Sequence, residues 1–583
     1  MNDANSQSMG GIAPSAEDGQ NVRIDPITLS IVWSKLLSIV EEMGGTLRRT
    51  AYSPAVREGD DFSTGLFDRK GRLIAQGQFS PAHIGAMPNV IRNISKYITI
   101  ESLVPGDVVL FNDSTLGSGH YPDFFLIMPV FIDGQLVGYS GATAHHIDTG
   151  GATPGSQEIA GVSEAYQEGL RLLPVLLFRA GELDEDILRV ILGNVRVPDL
   201  VQGDLFAQRN SAHVGMTRLL AIFDEYGEEL VENTFDEILI ASESRMREYI
   251  RALPDGSWEF EDFLDDSGPG SDPVRFHVRV TVDDGDIELD FSGGNDQVSS
   301  GINSYYNFTR AWGNFTAMAL AKAIMPQNEG TIRPIKITAR EGSFFNAVHP
   351  APSGGRATNQ VRLFEVVNGA LAQALPHRAM GAFTHWSNPN IGGFDDRKGK
   401  PFVQYDLLFG GYGGQHDKDG EEGMAPLMNC TNIPVEVYEH AGPLLVQRLE
   451  LRADSGGAGK FRGGLGLRKD IILRCEEALA TLLTDRRKFA PFGVFGGKSG
   501  EKTRIVLTRN GEQIDLETKE TRTLQLDDVL SLRLSGAGGY GDPAERDAWR
   551  IEDDIADGYI TEEGARRDYG VEIQDGKVVA PQG

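Results

Sequence analysis

The chain is 583 residues long, more than one hydrophobic core organises, and its 40% hydrophobic and 24% charged residues describe a globular protein of two or three domains. A formal charge of -29 repels phosphate backbones and anionic lipid, which argues against nucleic acid and membranes as partners. Two cysteines, Cys430 and Cys475, allow neither a disulfide framework nor a thiolate metal site. The start lacks a basic, apolar leader and no apolar run is of bilayer length, so the expected location is cytoplasmic.

Residues 1 to 22 are small and polar and read as a disordered tail. A helix is predicted from Asp25, which caps it, through Pro26 in the first turn; Leu29, Val32, Trp33, Leu36, Leu37 and Val40 recur at helical spacing. Gly44 and Gly45 are expected to weaken its end. Strands are predicted at "FSTGLFD", "RLIAQG", "DVVLFND", "FFLIMPVFI" and "QLVGYSGATAHH". Residues 200 to 252 are strongly helical, and Pro254-Asp255-Gly256 closes them. Two alternating strands around Asp283-Asp284-Gly285 signal a hairpin, and "RAWGNFTAMALAKAIMP" a helix ending by Pro326. Strands and glycine loops follow, up to a polar helical end. The expected class is α+β: multidomain mixed sheets with helical insertions and a Gly-rich, β-rich C-terminal half. The expected division is a tail over 1–22, a metal-site region over 23–255, a β-rich region over 256–541 and a helical segment over 542–583.

Histidine is scarce, with eleven in the chain. His120 stands three positions before Asp123 in "GSGHYPD", a glycine-rich turn between apolar strands. His145 and His146 are adjacent at a strand end; neighbours in a strand point to opposite faces, so at most one serves a given site. Asp61 opens the strand "FSTGLFD". Together Asp61, His120, Asp123 and His145 offer two imidazoles and two carboxylates, a set that suits Zn, Mn or Fe and leaves room for water or substrate. The plain alternative is that Asp123 caps a turn and His120 bonds to backbone carbonyls. Arg356 and Arg333 could orient an anionic substrate but are expected to form structural ion pairs. His83 either borders the pocket or simply packs. The basic island "DRRK" at 485 to 488 could face an acidic neighbour.

Two glycine-rich stretches tempt a nucleotide-binding reading. "GVFGGKSG" (493 to 500) has its first glycine one position too close to the Gly-Lys-Ser step, and a strand-like run follows where a helix is required. "DSGGAGKFRGGLG" (454 to 466) lacks a flanking strand and helix; both read as tight turns using positive φ.

The blocks "DDFSTGLFD", "GHYPD", "AHHIDTGGATPGS", "YQEGLRLLPV", "NEGTIRPIKI", "DSGGAGKFRGGLGLR", "DRRKFAPFGVFGGKSG" and "GGYGDPAERD" occur in order over residues 25 to 571. In them the chain resembles the hydantoinase B/oxoprolinase family. The resemblance implies an ATP-dependent enzyme working as a heteromer with a hydantoinase A-like subunit, which binds the ATP and phosphorylates the substrate oxygen. The B-type chain then opens a cyclic amide (hydantoin, 5-oxoproline or lactam) at a divalent metal, Zn or Mn. Relatives similar to acetone and acetophenone carboxylases imply the alternative, carboxylation of a ketone with bicarbonate. Carried over, the metal ligands are Asp61, His120, Asp123 and His145, with His120, Asp123 and His145 catalytic; the substrate-binding residues stay unassigned. The chain departs from the family at Asp60, where a basic residue is common, and at Tyr121, which is expected on the pocket wall.

Overall fold

The computed structural model describes residues 24–80, 83, 85–425, 427–428 and 430–579; the tail predicted over residues 1–22 lies outside them. The first helix, Pro26–Thr50, starts where expected, with the Asp25 carboxylate accepting from the Thr28 N–H at 3.0 Å. It does not weaken at Gly44: a Cβ there would lie 2.0 Å from the Phe79 ring, so the glycine admits an aromatic side chain against the helix backbone. The long helical region divides at Gly227 (φ 79°) into Pro198–Tyr226 and Glu228–Arg251.

The site is positioned by an antiparallel sheet of β1 (Phe62–Asp68), β2 (Leu73–Gln76), β3 (Val108–Phe111), β4 (Asp123–Ile132), β5 (Gln135–His145), β6 (Val175–Arg179) and β7 (Glu182–Leu183). Its order is β2-β1-β5-β4-β3-β6-β7. Both faces are covered, which explains the unbroken apolar run of β4. Phe124, Leu126 and Met128 pack with Val201, Leu205 and Ala212 of Pro198–Tyr226, while Phe125 and Ile127 meet Met87, Val90 and Ile91 on the opposite side.

A second sheet, ordered β11-β10-β9-β8, comprises β8 (Gly256–Leu264), the hairpin β9 (Val274–Asp283) and β10 (Asp286–Asp290), and β11 (Ile335–Thr338). Its core holds Val278, Val280 and Leu289 with Trp312 of Tyr306–Leu320 and Val361, Leu363 and Val367 of Gln360–Ala372. Beyond it, β12 (Asn390–Asp395) and β13 (Lys400–Tyr405) belong to a third, four-stranded sheet, next to a five-stranded antiparallel one. Short helices Ala548–Ala556 and Glu562–Tyr569 follow, and an antiparallel strand pair, Glu572–Gln574 with Lys577–Val579, closes the described chain, so the segment expected to be helical ends in a hairpin. The class is α+β with several sheets, as the sequence predicts. Among the described residues no helix is long and apolar enough to cross a membrane.

Two expectations are corrected here. The first half of the "DRRK" island faces inward while Lys488 stays exposed: Asp485 and Arg486 are fully buried, Asp485 pairs with Arg362 and Lys519 at 2.8 Å each, and Arg486 reaches Asp262 at 3.1 Å. Lys488 pairs with Asp266 at 2.8 Å, so the acids this island meets come from its own chain, far away in sequence. The glycine stretches 454–466 and 493–500 do form loops, and a strand (Arg504–Arg509) follows the second. Positive φ explains only Gly496 among their glycines; the others allow backbone to touch backbone, as at Gly457, where a Cβ would lie 2.2 Å from the Lys498 carbonyl oxygen.

Candidate metal centre

Strand register builds the site. Phe62 pairs with Ala144 and Asp123 with His145, and the His145 N–H donates to the Asp61 carbonyl at 3.0 Å. Asp61, His145 and Asp123 therefore stand side by side at the ends of three adjacent strands, and residues opposite one another across strands share a face. His146 points the other way, into the core: it packs edge-on against Phe124 and bonds to Gln208 through Nε2 at 2.8 Å. The expectation that the adjacent histidines divide between two faces holds. His120 arrives from the turn before β4, where Gly119 (φ 94°) has no room for a Cβ, which would fall 2.9 Å from Phe308.

Ligand-type atoms of His120, Asp123 and His145 all lie within 4.8 Å of one another, and all three residues are buried. Asp123 is the node. Its Oδ1 accepts from the Nδ1 side of His145 at 3.0 Å, and its Oδ2 accepts from Arg356 Nη2 at 2.7 Å and from the Ser118 hydroxyl. His83 Nε2 stands 3.2 Å from the same carboxylate. His120 Nδ1 donates to the Gly354 carbonyl at 3.1 Å. Its Nε2 is 2.9 Å from Asp123 Oδ1, but at an angle that makes no hydrogen bond. Among the described residues, Nε2 of His120 and Nε2 of His145 are thus buried with no hydrogen-bond partner, which is costly for neutral imidazole unless something else engages the nitrogen. Two such nitrogens beside a carboxylate fit a divalent ion of the Zn or Mn type.

The charges agree with that fit. Burial, helped by the positive Arg356, lowers the His120 pKa to about 4, so its ring is neutral and keeps a lone pair at neutral pH. Burial alone would raise the Asp123 pKa, yet the surrounding imidazoles hold it well below the usual carboxylate range. Burial likewise works against a charged His83, but Asp123 outweighs it and the pKa is raised. With His120 neutral, Arg356 is the permanent cation bonded to Asp123, and His83 stands beside the same carboxylate. The cavity retains about 10 Å³, room for a water molecule and no organic substrate.

A family model described as Hydantoinase B/oxoprolinase matches residues 25–543 of the chain. The chain belongs to the hydantoinase B/oxoprolinase family. The B-type subunit of a putative D-/L-hydantoinase from a Pseudomonas species is 32% identical, over 96% of this chain and 97% of that protein. The crystal structure of an ATP-dependent caprolactamase from Pseudomonas jessenii superposes with a TM-score of 0.88 at 30% identity, covering 95% of this chain and 97% of its own. A nucleotide-free acetone carboxylase structure gives a TM-score of 0.87 at 19% identity, over 96% and 81% of the two chains, which is a likeness of fold.

Within this family member the residues carried over from the resemblance meet in one place. Asp61 lines the same cavity as His120, Asp123 and His145, though outside their tight cluster, whereas Asp60 is turned away into an ion pair with Arg48 at 2.6 Å. Arg356 and Arg333 both form the expected ion pairs, Arg356 with Asp123 of the cluster at 2.7 Å and Arg333 with Glu243 at 3.1 Å. His83 lines the cavity, while Tyr121 is buried but not part of its wall. Sequence reading missed Gln157, Gln360, Trp386 and Tyr405, which also line it, together with Ala357 and Met428. Tyr405 stacks on His145 at 4.8 Å between ring centres, and buried Gln157 Nε2, Gln360 Oε1 and Trp386 Nε1 have no partners. They come from separate elements, and no local pattern marks them.

Proposed function

We propose that this chain is the metal-holding subunit of an ATP-dependent cyclic amide hydrolase, opening a hydantoin, 5-oxoproline or lactam ring whose oxygen a hydantoinase A-like partner has phosphorylated with its own bound ATP. The observation that carries the reading is the pair of unpartnered imidazole nitrogens beside Asp123. Likeness over nearly the full chain to the B-type component of a putative hydantoinase and to a caprolactamase supports the substrate class. His120, Asp123 and His145, with Asp61 at the edge, would hold the ion, Zn or Mn. When bound, that ion supplies Lewis acidity toward the amide carbon's oxygen and toward water.

The chain's own residues prepare the chemistry. The Gly354 carbonyl takes the Nδ1 proton of His120 and so leaves Nε2 as the free lone pair. Arg356 favours the anionic form of Asp123 in a buried setting, with His83 beside the same carboxylate. Gln157, Gln360 and Trp386 present amide and indole groups toward the same small cavity as the ligand set. The test is the purified chain combined with its ATP-binding partner, given hydantoins, 5-oxoproline and lactams with and without ATP. ATP-dependent ring opening is expected; no ring opening, with bicarbonate-dependent carboxylation of a ketone instead, contradicts the proposal.

A further inference from the structure

A second cavity, of about 590 Å³, is walled in part by Thr115 of the loop that carries Ser118 and His120. Its cations are Arg92, Lys96 and Arg310, with Asn89 and Asn346 among its polar groups and exposed Glu341 as the acid on its described wall. Arg92 is already engaged, by Glu329 at 2.7 Å and Asn89 at 3.2 Å. Lys96 donates to Asn93 at 2.9 Å and pairs with no described carboxylate. Arg310 stands out. Its Nε and Nη2 are buried, and no described residue accepts a hydrogen bond from either. The fully buried arginines have a carboxylate (Arg356 has Asp123, Arg362 has Asp485, Arg546 has Asp419), whereas half-buried Arg310 shares the lack of one with Arg209 and Arg452 and alone among these three lines this cavity.

Arg310 is half-buried, and Glu329 acts on it without forming an ion pair, so two of its N–H groups are left unsatisfied; a planar fork so placed matches a phosphate oxygen pair. Arg310 also projects from the second turn of helix Tyr306–Leu320, whose cap residue Tyr305 makes no side-chain capping bond; Tyr305 and Tyr306 line the same cavity. The helix start adds a favourable potential for an anion. The volume exceeds what a bare phosphate fills and suits a small molecule carrying one.

We propose that this cavity binds the phosphate group of a small phosphorylated molecule, with Arg310 as the anchoring charge. Two of its wall residues also support the loop leading to His120: Asn307 donates to the Ser114 carbonyl at 3.0 Å, and Asn93 to the Leu116 carbonyl at 2.7 Å. The proposal does not depend on the metal or on the reaction.

Calorimetry on the full-length chain, without metal or partner, tests it with inorganic phosphate and, separately, ADP as probes. Saturable binding is expected, weakened by about tenfold or more in Arg310→Gln, because a charge-assisted bond is lost. Tighter binding of ADP than of phosphate supports an organic remainder in the cavity, and equal affinity supports recognition of phosphate alone. Without ligand, Arg310→Met is expected to melt no lower than wild type, since it removes a charge that has no ion pair. Absence of saturable binding of either probe at millimolar concentration, affinity unchanged in Arg310→Gln, or a lower melting temperature for Arg310→Met would each overturn the assignment.

Discussion

Glu168 supports the metal centre from behind, and its titration is open to measurement. Its Oε1 accepts from the N–H groups of Ser353 at 2.7 Å and Gly354 at 2.5 Å, and the Gly354 carbonyl in turn holds His120. Its Oε2 is buried without a partner. Burial raises its pKa from 4.5 to about 8, against the pull of the two N–H donors. In the unfolded chain this carboxyl ionises near its ordinary value, so between those two limits the folded state binds a proton that the unfolded state does not. Stability therefore falls as pH rises through that window and is level above it. At about 1.4 kcal/mol per pH unit the loss amounts to about 5 kcal/mol. Glu168→Gln keeps an acceptor for both N–H groups and removes the ionisation. Thermal melts from pH 5 to pH 9 are expected to coincide at the acid end and diverge upward, the variant becoming the more stable by up to about 5 kcal/mol. Parallel profiles for the two proteins would refute the reasoning.

Three further outcomes follow from the packing and the charges. Arg362→Met strands Asp485 and Asp262 without one of their cations and is expected to cost about 3–5 kcal/mol in urea or thermal unfolding. A melt unchanged within error would show that the remaining cations suffice. Gly44→Ala adds helix propensity worth about 1 kcal/mol but drives a methyl into the Phe79 ring, so a net loss of about 1–2 kcal/mol is expected in the same assay. Asp60→Asn, which breaks an exposed pair with Arg48, is expected to change stability by less than about 1 kcal/mol and leave metal binding intact, whereas Asp61→Asn weakens it. Metal titration of the two variants side by side checks that division.

Much of the frame was legible in the chain. The alternation and apolar runs of β1, β4 and β5 reflect a sheet covered on both faces, and the cap at Asp25 is a local signal that the helix obeys. The parity rule separated His145 from His146. Register was not legible, because it is decided by pairing between residues far apart; yet register is what sets Asp61, His145 and Asp123 in a row. The same holds for Arg356, whose neighbours in sequence give no hint of Asp123, and for "DRRK", whose charges are matched by Asp262, Asp266 and Glu365 from remote segments. Gly44 reads as a helix breaker only until Phe79 is placed against it.

His120, Asp123 and His145 are the residues proposed to hold a metal ion. Elemental analysis of the purified full-length chain after equilibration with Zn and Mn tests that proposal most directly, with wild type and His120→Ala compared. A stoichiometric divalent ion in the wild type, lost in His120→Ala while the fold persists by circular dichroism, is the predicted result. A wild-type chain that takes up no ion, or a His120→Ala chain that retains one as tightly, would contradict it.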